Sequence, residues 1–125
     1  MSALRLAAAA AFVLALAAPA SADAVPTVTI ALDSFKFTPS PIRLAAGQRI
    51  RLVFVNRSGS GHDFTARDFF KSARIVKGAA PGGEVELNGH QTAAVVLVPV
   101  RGRYKVHCSH FGHALMGMST EILVI

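Results

Sequence analysis

The sequence predicts an all-β fold, a two-sheet β-sandwich of seven to eight strands with one short helical insertion near residues 66–76. Three observations predict it. Apolar and polar residues alternate in short runs along most of the chain, as they do on half-buried strands. Glycine, proline and asparagine separate these runs at short intervals. Only one segment has the spacing of a helix, and no internal repeat or linker divides the chain.

The first half of the chain carries a regular strand pattern. In 49–56, Ile50, Leu52 and Phe54 share one face, which is the period of a strand. Two serines and two glycines in 57–61 predict a loop, and extended chain restarts at residue 62. The strand candidates in this half are 27–32, whose two-residue period is repeated at Phe35 and Phe37, then 42–44, 49–56 and 62–65.

The segment 66–76 is the exception to this pattern. The apolar residues of this segment fit a helical spacing better than alternation, so we expect one or two helical turns there. These residues are Phe69, Phe70, Ala73 and the pair at 75–76. Strand patterning resumes after the glycine- and proline-containing loop that follows. The strand candidates in this half are 84–87, 91–98, 102–108 and 119–125.

The first 22 residues are predicted to be a secretory signal peptide. Arg5 gives a basic start, Leu6 to Ala18 form an apolar run of 13 residues, and Ala22 ends a small-residue cleavage pattern. The run is too short to span a membrane, which takes about 20 apolar residues. We therefore expect a periplasmic domain of residues 23–125 with no membrane span after cleavage.

The charge of the chain is basic but dispersed. The formal net charge is +6, from 13 Lys and Arg against 7 Asp and Glu, and loss of Arg5 with the signal peptide makes it +5. No block of five or six like charges occurs, and an exported protein rarely meets nucleic acid. We expect no nucleic-acid binding, a solvated surface and at most a weak preference for acidic partners.

The window 107–118 concentrates the side chains that bind metals. It holds the only cysteine, three of the five histidines and two of the three methionines. Thiolate and thioether are soft donors and imidazole is a borderline one, and together they select copper. Two histidines, one cysteine and a long axial methionine form the blue-copper electron-transfer site.

The spacing within this window supports a metal loop. Cys108, His113 and Met118 follow one another at intervals of five, between the end of one predicted strand and the start of the next. A second histidine must come from elsewhere in the chain. His62 is the best candidate, because it follows the loop 57–61 and starts a strand.

The run 104–118 resembles the C-terminal copper loop of cupredoxins, and 56–64 resembles the segment that carries their first ligand. The resemblance extends over residues 27–125. It implies a Greek-key β-sandwich, one mononuclear type 1 copper ion and a hydrogen bond between Asp63 and Ser109 that joins the two ligand segments. Many cupredoxins have a neutral amide at the position of Asp63, and an ionised carboxylate there would favour Cu(II) and lower the reduction potential. The implied copper ligands are His62, Cys108, His113 and Met118.

Some features depart from the family pattern and leave alternatives open. Many cupredoxins have proline in the loop between cysteine and histidine, whereas Phe111 stands there in this chain. Met116 is an alternative axial ligand to Met118, and His110 is a candidate for a second metal. The spacing of His107, His110 and His113 by three also suggests zinc, although a strand-to-loop segment does not place all three on one side.

The predicted function is that of a periplasmic electron carrier and not of an enzyme. We expect a monomer that cycles between Cu(I) and Cu(II). Its partners would be redox proteins, such as a c-type cytochrome or a copper enzyme, docking near Phe111, Leu115 and Met116. The alternative is a copper-binding protein for storage, delivery or tolerance, in which His107, His110 and Met116 would help to capture or release the ion.

Overall fold

A computed structural model of the chain describes residues 2–5, 7–15 and 24–125 and contains two five-stranded β-sheets packed face to face. The all-β prediction is confirmed. Besides the strands there are one α-helix and one 3₁₀ turn at Pro81–Gly83. In chain order the elements are β1 Thr27–Asp33, β2 Lys36–Thr38, β3 Ile42–Leu44, β4 Ile50–Asn56, β5 His62–Thr65, α1 Arg67–Ser72, β6 Arg74–Lys77, β7 Glu84–Leu87, β8 Thr92–Val98, β9 Gly102–His107 and β10 Ser119–Val124.

The strand order interleaves distant parts of the chain. The first sheet runs β2-β1-β4-β8-β6 and the second runs β3-β10-β9-β5-β7. The pairs β1 with β4 and β3 with β10 are parallel, and all other pairs are antiparallel. β5 and β9 are neighbouring antiparallel strands, so the start of β5 and the end of β9 lie at the same end of the second sheet. In sequence, 45 residues separate His62 from Cys108.

The structure has more strands than the seven to eight expected. A turn at 34–35 separates β2 from β1, with which it pairs as a hairpin, and β6 is the other additional strand. The helical prediction for 66–76 is confirmed only for 67–72. At Ala73 the backbone becomes extended, and Arg74–Lys77 pairs with β8 as an edge strand. Two β-branched residues in this strand, at 75 and 76, favour extended backbone over helix.

Phe64 joins the two sheets and the helix in the core. It is fully buried, and its ring lies 4.8 Å from that of Phe54 on β4 and 5.6 Å from that of Phe37 on β2. A third contact, at 6.1 Å, reaches Phe70 on α1. Because Phe64 stands two residues after His62 on the same strand, the packing that fixes its ring also fixes the histidine.

The signal-peptide prediction is not tested by this fold. The predicted cleavage site after Ala22 lies outside the described residues. Among the residues that are described, none belongs to a helix with the length and apolar character needed to cross a membrane.

Truncation of Phe64 is expected to destabilise the domain strongly. Phe64→Ala removes a fully buried ring, and such changes cost about 3–5 kcal/mol of the free energy of unfolding. Phe111→Ala is the matched control, because the side chain of Phe111 is fully exposed. Urea denaturation of the two variants measures the difference. Equal losses of stability would contradict the assignment of Phe64 to the core.

Candidate metal centre

Four segments meet at one end of the sandwich. His62 is the first residue of β5, and Cys108 directly follows β9. The loop 108–118 connects β9 to β10, as the sequence predicts, and carries His113. The turn between β1 and β2 approaches from the other sheet. We call the group formed by His62, Cys108 and His113 the donor cluster.

The donor cluster brings three ligand atoms within bonding range of a common point. The Nδ1 atoms of His62 and His113 lie 3.2 Å apart, and the Sγ of Cys108 lies 3.9 Å and 3.4 Å from them. The point equidistant from the three atoms is about 2.0 Å from each, close to metal–nitrogen bonds of about 2.0 Å and metal–sulfur bonds of about 2.3 Å. The three side chains therefore fit one metal ion without rearrangement.

The turn between β1 and β2 fixes the orientation of the imidazoles. The Nε2 of His62 lies 2.9 Å from Ser34 Oγ, so with Nδ1 free for a metal, Nε2 carries the proton and donates to the serine. The ring of Phe35 packs edge-on against His113 at 5.1 Å and His62 at 6.4 Å. Both contacts come from the turn between β1 and β2, which belongs to the other sheet.

Backbone hydrogen bonds close the loop around His113. The N–H of Cys108 donates to the carbonyl of Met118 at 3.1 Å, and the N–H of Met118 donates to the carbonyl of His113 at 3.1 Å. Met118 is fully buried, whereas Met116 is 63% exposed. The structure thus keeps Met118 next to the donor cluster and turns Met116 toward solvent.

A buried carboxylate joins the two segments of the donor cluster. Oδ1 of Asp63 accepts hydrogen bonds from the N–H of Ser109 at 2.8 Å and from the hydroxyl of Thr65 at 2.7 Å, and Oδ2 accepts one from the Ser109 hydroxyl. The expected contact between Asp63 and Ser109 is confirmed. Burial alone would raise the pKa of the Asp63 carboxyl, but these hydrogen bonds outweigh it, so the pKa lies below its ordinary value and the group is charged at neutral pH.

The Cys108 thiol and the His62 imidazole are uncharged at neutral pH. Burial raises the pKa of the Cys108 thiol, and donation from the N–H of Asp63 to Sγ at 3.4 Å offsets this only in part. Burial, with the neighbouring imidazoles His113 and His110, lowers the pKa of His62. The His62 imidazole is therefore a neutral base that can bind a metal ion. A bound metal would displace the proton of the Cys108 thiol.

Asn56 anchors the loop that delivers His62. Its Nδ2 donates to the carbonyl of Ser60 at 2.7 Å and to that of Asn88 at 3.0 Å, and its Oδ1 accepts from the N–H of Ser58 at 3.0 Å. A Cβ at Gly61 would stand 3.1 Å from the ring of His110. The loop 57–61 is therefore packed close to the metal loop, and glycine at position 61 permits that approach.

The other histidines of the window lie outside the donor cluster. His107 is exposed, on the opposite side of β9 from Cys108, as expected. His110 stacks on His113 with 5.4 Å between ring centres, and its Nε2 lies 2.8 Å from Glu86 and 3.8 Å from Asp63. The trio His107, His110 and His113 does not converge. Asp63, Glu86 and His110 form a second group of possible ligands, only one of which is buried.

Sequence reasoning missed the contribution of the β1–β2 turn. Ser34 and Phe35 are distant in sequence from every predicted ligand, and a serine beside a phenylalanine carries no signal of its own. The contact between Glu86 and His110 was also missed. The pairing of β5 with β7 places Glu86 directly opposite Asp63, so only the strand register could have indicated it.

Comparison with known proteins gives a consistent result. The family described as Cupredoxin-like domain matches residues 6–124. No curated protein matches the chain. Solved structures do match, and three auracyanins are among them.

The three auracyanins share the fold at low sequence identity. Auracyanin B is 22% identical, with 80% of this chain and 88% of that chain covered and a TM-score of 0.58. The dithionite-reduced auracyanin of the photosynthetic bacterium Roseiflexus castenholzii is 17% identical, with coverages of 82% and 99% and a TM-score of 0.61. Auracyanin A of Chloroflexus aurantiacus, described as a "blue" copper protein, is 19% identical, with coverages of 79% and 98% and a TM-score of 0.58.

The chemistry of the site agrees with these similarities. The donor cluster offers two imidazoles and one thiol, and a buried thioether follows in the same loop. This set of soft and borderline donors suits a single type 1 copper ion.

Proposed function

This chain belongs to the family of cupredoxin-like domains, and from that premise we propose that it is a periplasmic type 1 copper protein that carries single electrons between redox partners. The observation that supports the proposal most is the donor cluster, whose three atoms lie 3.2 to 3.9 Å from one another around a common point. The proposed ligands are His62 through Nδ1, Cys108 through Sγ, His113 through Nδ1 and Met118 as the weak axial donor.

The choice of Met118 as axial ligand rests on its position. It is fully buried, and its backbone is bonded to both Cys108 and His113, whereas Met116 is largely exposed. A buried thioether whose backbone is bonded to two other ligand residues is a better candidate for the axial donor than an exposed one. Met116 is better placed to form part of the surface.

Copper, when bound, supplies a one-electron couple between Cu(I) and Cu(II). The residues of this chain keep the donor geometry constant while the charge changes. Ser34 holds His62, Phe35 packs against both imidazoles, and Asp63 fixes the spacing between β5 and Ser109. Because each donor is held by contacts outside the donor cluster, little reorganisation accompanies electron transfer.

An exposed apolar surface surrounds His113. Phe111 is fully exposed, Leu115 is 94% exposed and Met116 is 63% exposed, all in the metal loop. Large apolar side chains exposed side by side are typical of an interaction surface. We propose that a redox protein, such as a c-type cytochrome or a copper enzyme, docks there and that the electron passes through the half-buried ring of His113.

Burial of the donors favours electron transfer over copper storage or delivery. His62 and Met118 are 0% exposed and Cys108 is 1% exposed. A protein that hands over its metal must present the ion to a competing ligand, which this burial hinders. Four protein donors would also leave no position for a substrate, so we propose no enzymatic activity.

The proposal includes export and a monomeric state. Residues 1–22 would be removed as a signal peptide, and residues 23–125 would form the copper domain in the periplasm. The apolar run of 13 residues before the predicted cleavage site supports export. In the described part of the chain the cysteine is single and buried, so it is not placed to join two copies.

Replacing the cysteine tests the proposed function. Copper-loaded protein is expected to show intense visible absorption from the thiolate–copper bond and to be oxidised and reduced reversibly. Cys108→Ser is expected to lose this absorption while far-UV circular dichroism shows an intact sandwich. Met116→Leu, the control in the same loop, should keep the colour. Colour that persists in Cys108→Ser would contradict the ligand assignment, and rapid loss of Cu(I) to a chelator would favour copper delivery.

The buried carboxylate is expected to lower the reduction potential. Asp63→Asn removes one negative charge near the copper while keeping an oxygen to accept from Ser109. Loss of this negative charge should raise the reduction potential of the copper by about 50–100 mV. The figure follows from Coulomb's law over several ångströms at an effective dielectric constant of about 20. Cyclic voltammetry measures the shift. Glu86→Gln is the control, and its half-exposed, better-screened charge should give a smaller shift. Equal shifts would argue against a special role for Asp63.

A further inference from the structure

A cleft of about 440 Å³ lies between α1 and β9. It forms because β5 pairs with β9 at a single position, Thr65 opposite His107, before the chain leaves the sheet and enters the helix. The ring of Phe69 on α1 packs against the ring of Tyr104 on β9, with 5.4 Å between their centres. This contact holds the helix beside the strand. We call this space the α1–β9 cleft.

Basic side chains line both walls of the α1–β9 cleft. Arg103, Lys105 and His107 alternate along the exposed side of β9, and Arg67 begins the helix opposite them. Asp68 is the one carboxylate in the lining. The cleft is therefore a positively charged region next to the metal centre.

The basic side chains of the cleft have few acidic neighbours: Asp68 lies in the lining, and Glu121 on β10 stands opposite Lys105 in the pairing with β9. Within residues 24–125, no carboxylate lies within 4.0 Å of the guanidinium of Arg67 or the ammonium of Lys105. Arg103 reaches Glu121 only at 3.8 Å, and both side chains are well exposed, with 72% and 43% of their surface accessible. Exposed pairs of this kind are weak and are readily exchanged for a better partner.

We propose that the α1–β9 cleft docks a cluster of carboxylates on the surface of an acidic redox partner. This inference rests on the proposed function, and it specifies the chemistry of the partner. Arginine binds carboxylates through two parallel N–H donors, and Lys105 adds a point charge between the two arginines. The cleft reaches His107, which directly precedes Cys108. A protein seated there would contact the residue next to the thiol, which favours a redox partner over a free anion.

The opposite flank of the metal centre has the opposite charge. Glu86 on β7 is half exposed and lies beside the buried Asp63, on the far side of β5 from β9. An acidic partner would be attracted by the α1–β9 cleft and repelled from the β7 flank. Complementary charges of this kind fix the orientation of an encounter and raise its rate more than they raise its affinity.

A hexaglutamate peptide tests the proposal without copper. The peptide is titrated into the ¹⁵N-labelled, copper-free protein at low ionic strength, and amide shifts are followed by NMR. We expect shifts to concentrate at Arg67 and along 103–107. Arg103→Gln/Lys105→Gln should weaken binding about tenfold, as the loss of two partly exposed ion pairs predicts. The control Arg74→Gln/Lys77→Gln makes the same charge change on the exposed strand β6 and should change binding less than about twofold.

Three outcomes would overturn the proposal. Equal weakening in both double variants would mean that net charge alone attracts the peptide. Shifts centred on the loop 108–118 would place the acidic ligand elsewhere. Inorganic phosphate binding the same amides as tightly as the peptide, at matched ionic strength, would identify a small-anion site. Because the titration needs no metal, its failure would leave the copper proposal standing, and a failure of copper binding would leave the titration valid.

Discussion

The hydrogen bonds between Asp63 and Ser109 are the interaction on which the metal centre depends. One carboxylate binds the strand that begins with His62 to the segment that begins with Cys108, across a gap of 45 residues. The carboxylate is fully buried, so its charge is acceptable only while its hydrogen bonds are made. The N–H of the same aspartate donates to the cysteine sulfur. Asp63 therefore contacts both segments that carry donors, through its carboxylate and through its backbone N–H.

Charge and polarity are distributed unevenly around this centre. The metal loop covers the end of the sandwich at this centre, and it is apolar. Its side chains Phe111 and Leu115 are fully or almost fully exposed. One flank carries the cations of the α1–β9 cleft and the other carries Glu86. The surface around the centre therefore has an apolar face, a basic face and an acidic face, although the net charge of the chain is basic.

The sequence predicted the fold class and the donor cluster, because both are recorded in local patterns. Alternation identified β4 and β9, and the concentration of donors in 107–118 identified the metal loop. The edge strand after Ala73 was missed, since its side chains are exposed on pairing with β8 and leave no apolar alternation. Ser34 and Phe35 were missed because they reach the site through the packing of one sheet on the other, and Glu86 was missed because it reaches the site through strand pairing. A single sequence records neither sheet packing nor register.

The most direct test of the metal centre is a crystal structure of the copper-loaded protein with anomalous scattering recorded at the copper edge. We expect one ion at about 2.0–2.3 Å from Nδ1 of His62, Nδ1 of His113 and Sγ of Cys108, with these side chains unmoved. An ion bound instead by Asp63, Glu86 and His110, with the cysteine sulfur outside bonding distance, would contradict this expectation.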